Sequence, residues 1–389
     1  MRIPMKHAPL AVVALLATTG AELVAQDLLV QAKTIVIAPG STITDSAFLV
    51  RDGKVAYVGD DIPGEARSGA RVVDYGDAII SPGFVLAATT LGREADLGET
   101  AFAFTPDLRA VEAFDPWQDE LLELAQYGVT SVGLKPASRN VAGGVGALVK
   151  PGAERGAVAV PEAFAGFSLN SNARSQQRQP TSLMGAKEML RESFEAARLG
   201  VQLGPDLAEL RQVMSGARRA LVHADTFAEL NTALELAETY QFTPVIVGGT
   251  DADRVLERIG KSAAGVVLRT LSPTDRIAEL TLPKKLAEAG IPFCFAAAPH
   301  QLRLSAVLAV RHGLDRRTAH AALTRTPATM LGQQALVGSL RQGCGADFVV
   351  HDGDLLDLSA RHVATWIDGQ LVDGAAPTAK NTSKNKKDS

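Results

Sequence analysis

Cysteine, aromatic residues and net charge are all scarce in this chain. Its 389 residues include only two cysteines, Cys294 and Cys344, in unrelated contexts. Neither a disulfide framework nor a cysteine-built zinc module is therefore available. Aromatics make up 5% of the chain, a poor supply for a carbohydrate-stacking surface. With 39 Lys+Arg against 43 Asp+Glu and a net charge of -4, no basic field exists to grip a phosphate backbone, and nucleic acid is excluded as an expected partner. No internal apolar run approaches the roughly 20 residues that cross a bilayer. What is plentiful is Ala, Val, Leu and Gly, within 46% hydrophobic residues. That is enough to build one large core or two medium ones, and it suits a parallel α/β interior.

The two ends read differently from the middle. Arg2, Lys6 and His7 precede an apolar run from Ala8 to Leu16, and Leu23-Val24-Ala25 closes on a small residue. Residues 1–26 are thus expected to be a cleavable signal peptide that sends the chain to an extracytoplasmic location, periplasmic or secreted, with no membrane span left after cleavage. Residues 375–389 carry Lys380, Lys384, Lys386 and Lys387 among Asn, Ser and Thr, and are expected to be a disordered tail.

Short β-rich runs separated by turns fill 27–80 and return in 333–374, including Ala47 to Val50, Val55 to Val58, Phe348 to Val350 and Val363 to Ile367. These predict a small β-sandwich composed of both chain ends. Between them, eight strand candidates (78–86, 129–134, 145–150, 163–169, 219–223, 244–248, 264–269 and 291–297) alternate with helical periodicity at 112–127, 182–199, 228–240, 275–289 and 302–312. The fold class is therefore α/β: a (β/α)8 TIM barrel over 81–332, with an open doubly wound sheet as the alternative. No helix is legible between the third and fourth strands. Residues 170–181 form a long polar loop, the kind of top-face segment that carries function.

Several segments in order resemble the amidohydrolase superfamily, specifically its imidazolonepropionase-like metal-dependent hydrolases. Ile79-Ile80-Ser81-Pro82-Gly83-Phe84-Val85 is similar to the entry into the first barrel strand, and Gly128 to Val132 to the second strand. Thr326 to Gly332 resembles the helix-to-sandwich junction, and Val337 to Val350 the returning strand. The resemblance spans about 28–373. It implies a metal-dependent hydrolase of carbon–nitrogen bonds, with zinc or another divalent metal as cofactor and a metal-activated hydroxide as nucleophile.

The site positions that the resemblance implies are largely changed. The first strand should end Asp-x-His-x-His; here those positions are Leu86, Ala88 and Thr90. The eighth-strand Asp falls at Ala297 and Ala298, within Cys294 to His300, where no carboxylate occurs, and the sixth strand ends Gly248-Gly249 without a His. His223 at the fifth strand end matches a metal-ligand His. Lys150 matches the lysine that is carboxylated in some members, and His300 is placed to join His223 across the mouth. A single imidazole cannot replace the three or four donors of a zinc site.

Other motifs lead nowhere. Gly260-Lys261-Ser262 lacks the leading glycine of a phosphate loop, Gly144-Val145-Gly146 lacks the third glycine of a dinucleotide fingerprint, and no Gly-x-Ser-x-Gly occurs. Cys294, His312, His320, His351 and His362 read as core, packing or surface residues. Two functions compete: a catalytically degenerate relative, without resident metal, acting as a binding or partner module, and the implied hydrolase. The first expects an unidentified small-molecule ligand or pairing with a related intact amidohydrolase.

Overall fold

The computed structural model describes residues 26–200, 205–296 and 298–377. The expected signal peptide, apart from Gln26, and tail residues 378–389 lie outside them.

Five strands open the chain: β1 (Leu28–Ala38), β2 (Ser41–Arg51), β3 (Lys54–Val58), β4 (Arg71–Asp74) and β5 (Ile79–Pro82). Eight follow: β6 (Phe84–Thr89), β7 (Val129–Leu134), β8 (Ala142–Lys150), β9 (Ala157–Ser168), β10 (Arg219–Ala224), β11 (Pro244–Gly248), β12 (Gly265–Arg269) and β13 (Phe293–Ala296). The last three are β14 (Phe348–His351), β15 (His362–Ile367) and β16 (Gln370–Gly374).

The two chain ends share one hydrogen-bonded sheet, ordered β16-β15-β14-β5-β1-β2-β3 with β4 on β1. The splice is β14 on β5, antiparallel, with Val350 opposite Ile80. The sheet folds over itself, because Phe48 of β2 meets Phe348 of β14 edge-on at 5.2 Å between ring centroids although the strands are not neighbours. Trp366 stacks on Phe348 and donates its indole N–H to the Tyr75 hydroxyl at 2.7 Å. That satisfies the polar ends of two buried aromatics.

The strands β6 to β13 form the barrel, in sequential order. Alternate residues from six strands (Val85, Leu148, Leu221, Val245, Val267 and Cys294) make one interior cluster, closed below by Ala328, Met330 and Leu331. A sheet wrapped around a shared interior is a barrel and not an open sheet. No ladder joins β6 to β13 among the described residues.

The eight strands are not eight βα units, because β8 runs antiparallel to both β7 and β9. The connectors 135–141 and 151–156 are far shorter than the dozen or more residues a parallel crossover needs. The missing helix noted in the sequence was the sign of this reversal. It puts the 135–141 connector at the mouth, where the parallel strands end, and sends the end of β8 down to the terminal sheet.

There Lys150 is buried. Its Nζ lies 3.0 Å from Asp347 Oδ1, 2.8 Å from Asp347 Oδ2 and 2.6 Å from Asp368 Oδ1. Asp347 Oδ1 also accepts the Asp368 N–H at 2.9 Å. Burial works against the lysine's charge, but the two carboxylates outweigh it and hold the ammonium above its ordinary range. Replacing Lys150 with Met would strand Asp347, which is 2% exposed. A loss of about 3–5 kcal/mol is expected in denaturant unfolding, the usual cost of breaking a buried pair on one side.

Two histidines, His351 buried and His320 half-buried, give the fold an acid limit. His351 stacks on Phe84 and is drawn down to about 3 by burial, helped by Arg303 and His362. His320 is drawn down to about 4 by burial, with Asp354 opposing. The unfolded chain protonates both near pH 6.5 and the folded chain does not. Their contribution is thus complete above about pH 6.5 and is lost as pH falls toward 4 and then 3. In unfolding measured against pH, the slope between about pH 6 and pH 4 should fall by about one proton in His320→Asn or in His351→Asn relative to the wild type.

Candidate functional site

The mouth is a cavity of about 1080 Å³, of the size that holds a small organic ligand. Leu86, Ala88, Thr90, Ala298 and His223 all stand in its wall. They do not all aim at its centre. A bulge in the β6–β7 pairing after Leu86 sets Ala87 and Ala88 both into the barrel interior, while Leu86 joins the cluster between sheet and helices. Ala297 lies outside the described residues. Ala298 follows it in a left-handed conformation, φ 44°.

His223 ends β10 half-buried. Its Nε2 is 3.1 Å from Asp225 Oδ2, and its Nδ1 has no hydrogen-bond partner. Asp225 is held from several sides: Asn170 Nδ2 donates at 2.6 Å and the Thr250 hydroxyl at 3.1 Å. Burial pushes this carboxyl up, but His223 and those donors outweigh it and leave it below the usual carboxylate range. The room for Asp225 comes from Gly248, whose φ is 99° and where a Cβ would stand 2.3 Å from Asp225 Oδ1. The end of the sixth strand thus hosts a neighbouring carboxylate in place of a histidine.

The helix Phe227–Tyr240 fixes this corner. Thr226 and Glu229 form a capping box, and Glu229 Oε2 also accepts the Asp225 N–H at 3.0 Å, satisfying N–H groups the first turn leaves free. Glu229 Oε1 in turn receives Arg174 from the polar loop at 2.6 Å. Further along that loop, the Arg178 guanidinium donates to the carbonyls of Glu99, Phe102 and Arg139 and, at 2.8 Å, to Asn140 Oδ1. Asn170, Arg174 and Arg178 therefore tie the loop across the mouth.

Lys135, directly after β7, and Glu94 complete the polar wall. Lys135 Nζ donates to the Pro136 carbonyl at 3.2 Å and to Ser138 Oγ at 2.9 Å. Burial draws it down to about 8, partly offset by Glu94. Glu94 accepts the Thr90 hydroxyl at 2.7 Å, a bond that holds its carboxyl below the ordinary range, with Lys135 and Arg139 assisting.

Two residues predicted for this mouth are elsewhere. Lys150 sits at the opposite end of the barrel, because its strand is reversed. His300 lies in the short helical turn Pro299–Gln301, exposed, with its ring 6.0 Å from that of Tyr127; it leads into the next helix and does not join His223. Among the described residues no group of three or more His, Cys, Asp and Glu side chains converges as a metal site. The reading of the sequence missed Lys135 and Asp225. The first was hidden by taking the third strand as parallel; the second stood two positions after His223 in His-Ala-Asp.

The geometry defines an α/β-barrel protein with a ligand-sized, polar mouth. A family model described as amidohydrolase family matches residues 290–373. Amidohydrolase tasK of Hapsidospora irregularis is 24% identical over a match covering 70% of this chain, and the chain spans 33% of that relative's length. An amidohydrolase structure from Thermotoga maritima superposes with a TM-score of 0.77 at 24% identity, covering 90% of this chain and all of that one. A zinc-bound adenosine deaminase from Xanthomonas campestris gives 0.51 at 16% identity, covering 89% of this chain and 92% of its own. The fold is thus that of the amidohydrolase structures, and the closing part of the chain, residues 290–373, matches the amidohydrolase family model.

Arg178→Ala should free the loops without unfolding the barrel. Hydrogen exchange is expected to speed up in 99–102, 139–140 and 172–178 and to stay unchanged in β10 to β12. Global stability should fall by about 1–3 kcal/mol, the range for hydrogen bonds to a charged group.

Proposed function

We propose that this chain keeps the amidohydrolase barrel as a binding module for a small molecule, without hydrolysis at a resident metal. The observation that carries the reading is the donor set at the mouth. A catalytic zinc needs about three protein ligands converging on one open position. Here the first-strand positions are Leu86, Ala88 and Thr90, the sixth strand ends in glycine, and His223 is engaged with an Asp225 that already serves two other donors. These residues do not fit a divalent cation. The reading extends to the proposals that the chain works outside the cytoplasm and pairs there with an intact relative.

The competing reading is metal-dependent hydrolysis of carbon–nitrogen bonds. Its support is the relatives' own description as amidohydrolases. Assays of the purified chain on cyclic amides and dipeptides, with zinc or manganese added, separate the two. Binding predicts no metal-stimulated turnover, and His223→Ala should cost only about 1 kcal/mol of stability, the value of one hydrogen bond. Metal-stimulated turnover that His223→Ala lowers by orders of magnitude would overturn it.

A further inference from the structure

Among the described residues Lys135 is the one lysine in the cavity wall. Among the described residues no carboxylate stands within ion-pair distance of it, whereas Lys150, Lys187, Lys261 and Lys285 each have one. Its two acceptors, the Pro136 carbonyl and Ser138 Oγ, account for both hydrogens of a neutral amine. The lone pair is then the remaining direction at Nζ. The same cavity wall includes Ala88 and Ala137, and the burial of the amine disfavours its charged form. The other charged and titratable groups of the cavity wall are Glu94 from the loop after β6, Glu120 and Glu123 of the helix Asp119–Gln126, Arg139 after β7, Arg178 from the polar loop and His223 near the end of β10. Glu94 is turned to Thr90.

We propose that Lys135 is a nucleophilic amine that takes a small aldehyde or ketone as an imine at the barrel mouth. This rests on the binding reading and supplies its ligand class. The Nζ lone pair adds to the carbonyl carbon while the C=O π pair moves to oxygen. A proton passes from nitrogen to that oxygen, giving a carbinolamine. Loss of the hydroxyl with one further proton, as water, forms the C=N bond, and no oxidant or reductant is consumed. His223 lines the same small recess as Lys135, and its imidazole, braced by Asp225, is the group placed to pass protons to and from the departing oxygen.

An amine titrating near 8 is neutral in about a quarter of molecules at pH 7.5, against about one in a thousand for an ordinary lysine. The test treats the full chain with acetone and cyanoborohydride at pH 7.5 and maps the isopropylated lysines by peptide mass. Label at Lys135 is expected to exceed that at any other lysine by about tenfold or more, and to reach half its plateau near pH 8. Lys135→Gln, which is uncharged and keeps a donor for the Pro136 carbonyl and Ser138, should abolish the selective label while the chain still unfolds cooperatively. If that variant does not fold, the wild-type map alone decides. Label spread evenly over the lysines, or absent from Lys135, overturns the imine. Absent label in a protein that also shows no metal-stimulated turnover sinks only this inference. Metal-stimulated turnover sinks the binding reading, whatever the label does.

Discussion

The ion pair between Lys150 and the Asp347–Asp368 pair anchors the reversed strand on which the rest of the molecule depends. A barrel strand pointing the wrong way must end at the wrong face, and here it ends on a lysine that would be costly to bury alone. Two carboxylates from the returning part of the terminal sheet meet it. Gly345 leaves the space, since a Cβ there would lie 2.8 Å from Lys150 Nζ. One contact thus holds the third strand, the terminal sheet and the end of the chain together. With β8 reversed, the connector carrying Lys135, Ser138 and Arg139 is delivered to the mouth.

The mouth is ordered by side chains throughout. In a metal-centred barrel the cation itself gathers strand ends and loops. At this mouth the loops are tied by Asn170 on Asp225, Arg174 on Glu229 and Arg178 on three backbone carbonyls. The capping box of Phe227–Tyr240 links these ties to the end of β10. Such a network gives a fixed polar cavity, which suits recognition. Among the described residues no group of three or more His, Cys, Asp and Glu side chains converges there.

Much of the architecture was legible in the residues. Period-2 runs at both chain ends and the apolar strands between them pointed to a shared sheet and a barrel, because burial on both faces leaves near-continuous Val, Ile, Leu and Ala. The direction of β8 was not legible from hydrophobicity, which is blind to polarity of the chain. Connector length carried that information, in the missing helix, and reading it would have moved Lys150 to the lower face and Lys135 to the upper. His300 misled because a residue just past a strand end faces the mouth only if the backbone keeps its course. The left-handed turn at Ala298 redirects it. Asp225 stood in plain sight in His-Ala-Asp, but its pairing with His223 depends on the space left by Gly248 on the next strand, which the local pattern does not record.

The account stands or falls on whether this mouth can hold a metal ion. Calorimetric titration of the metal-stripped full chain with zinc, repeated on His223→Ala, measures that directly. The account predicts weak binding without defined stoichiometry, the same in both proteins. One tightly bound equivalent in the wild type, lost in His223→Ala, would contradict it.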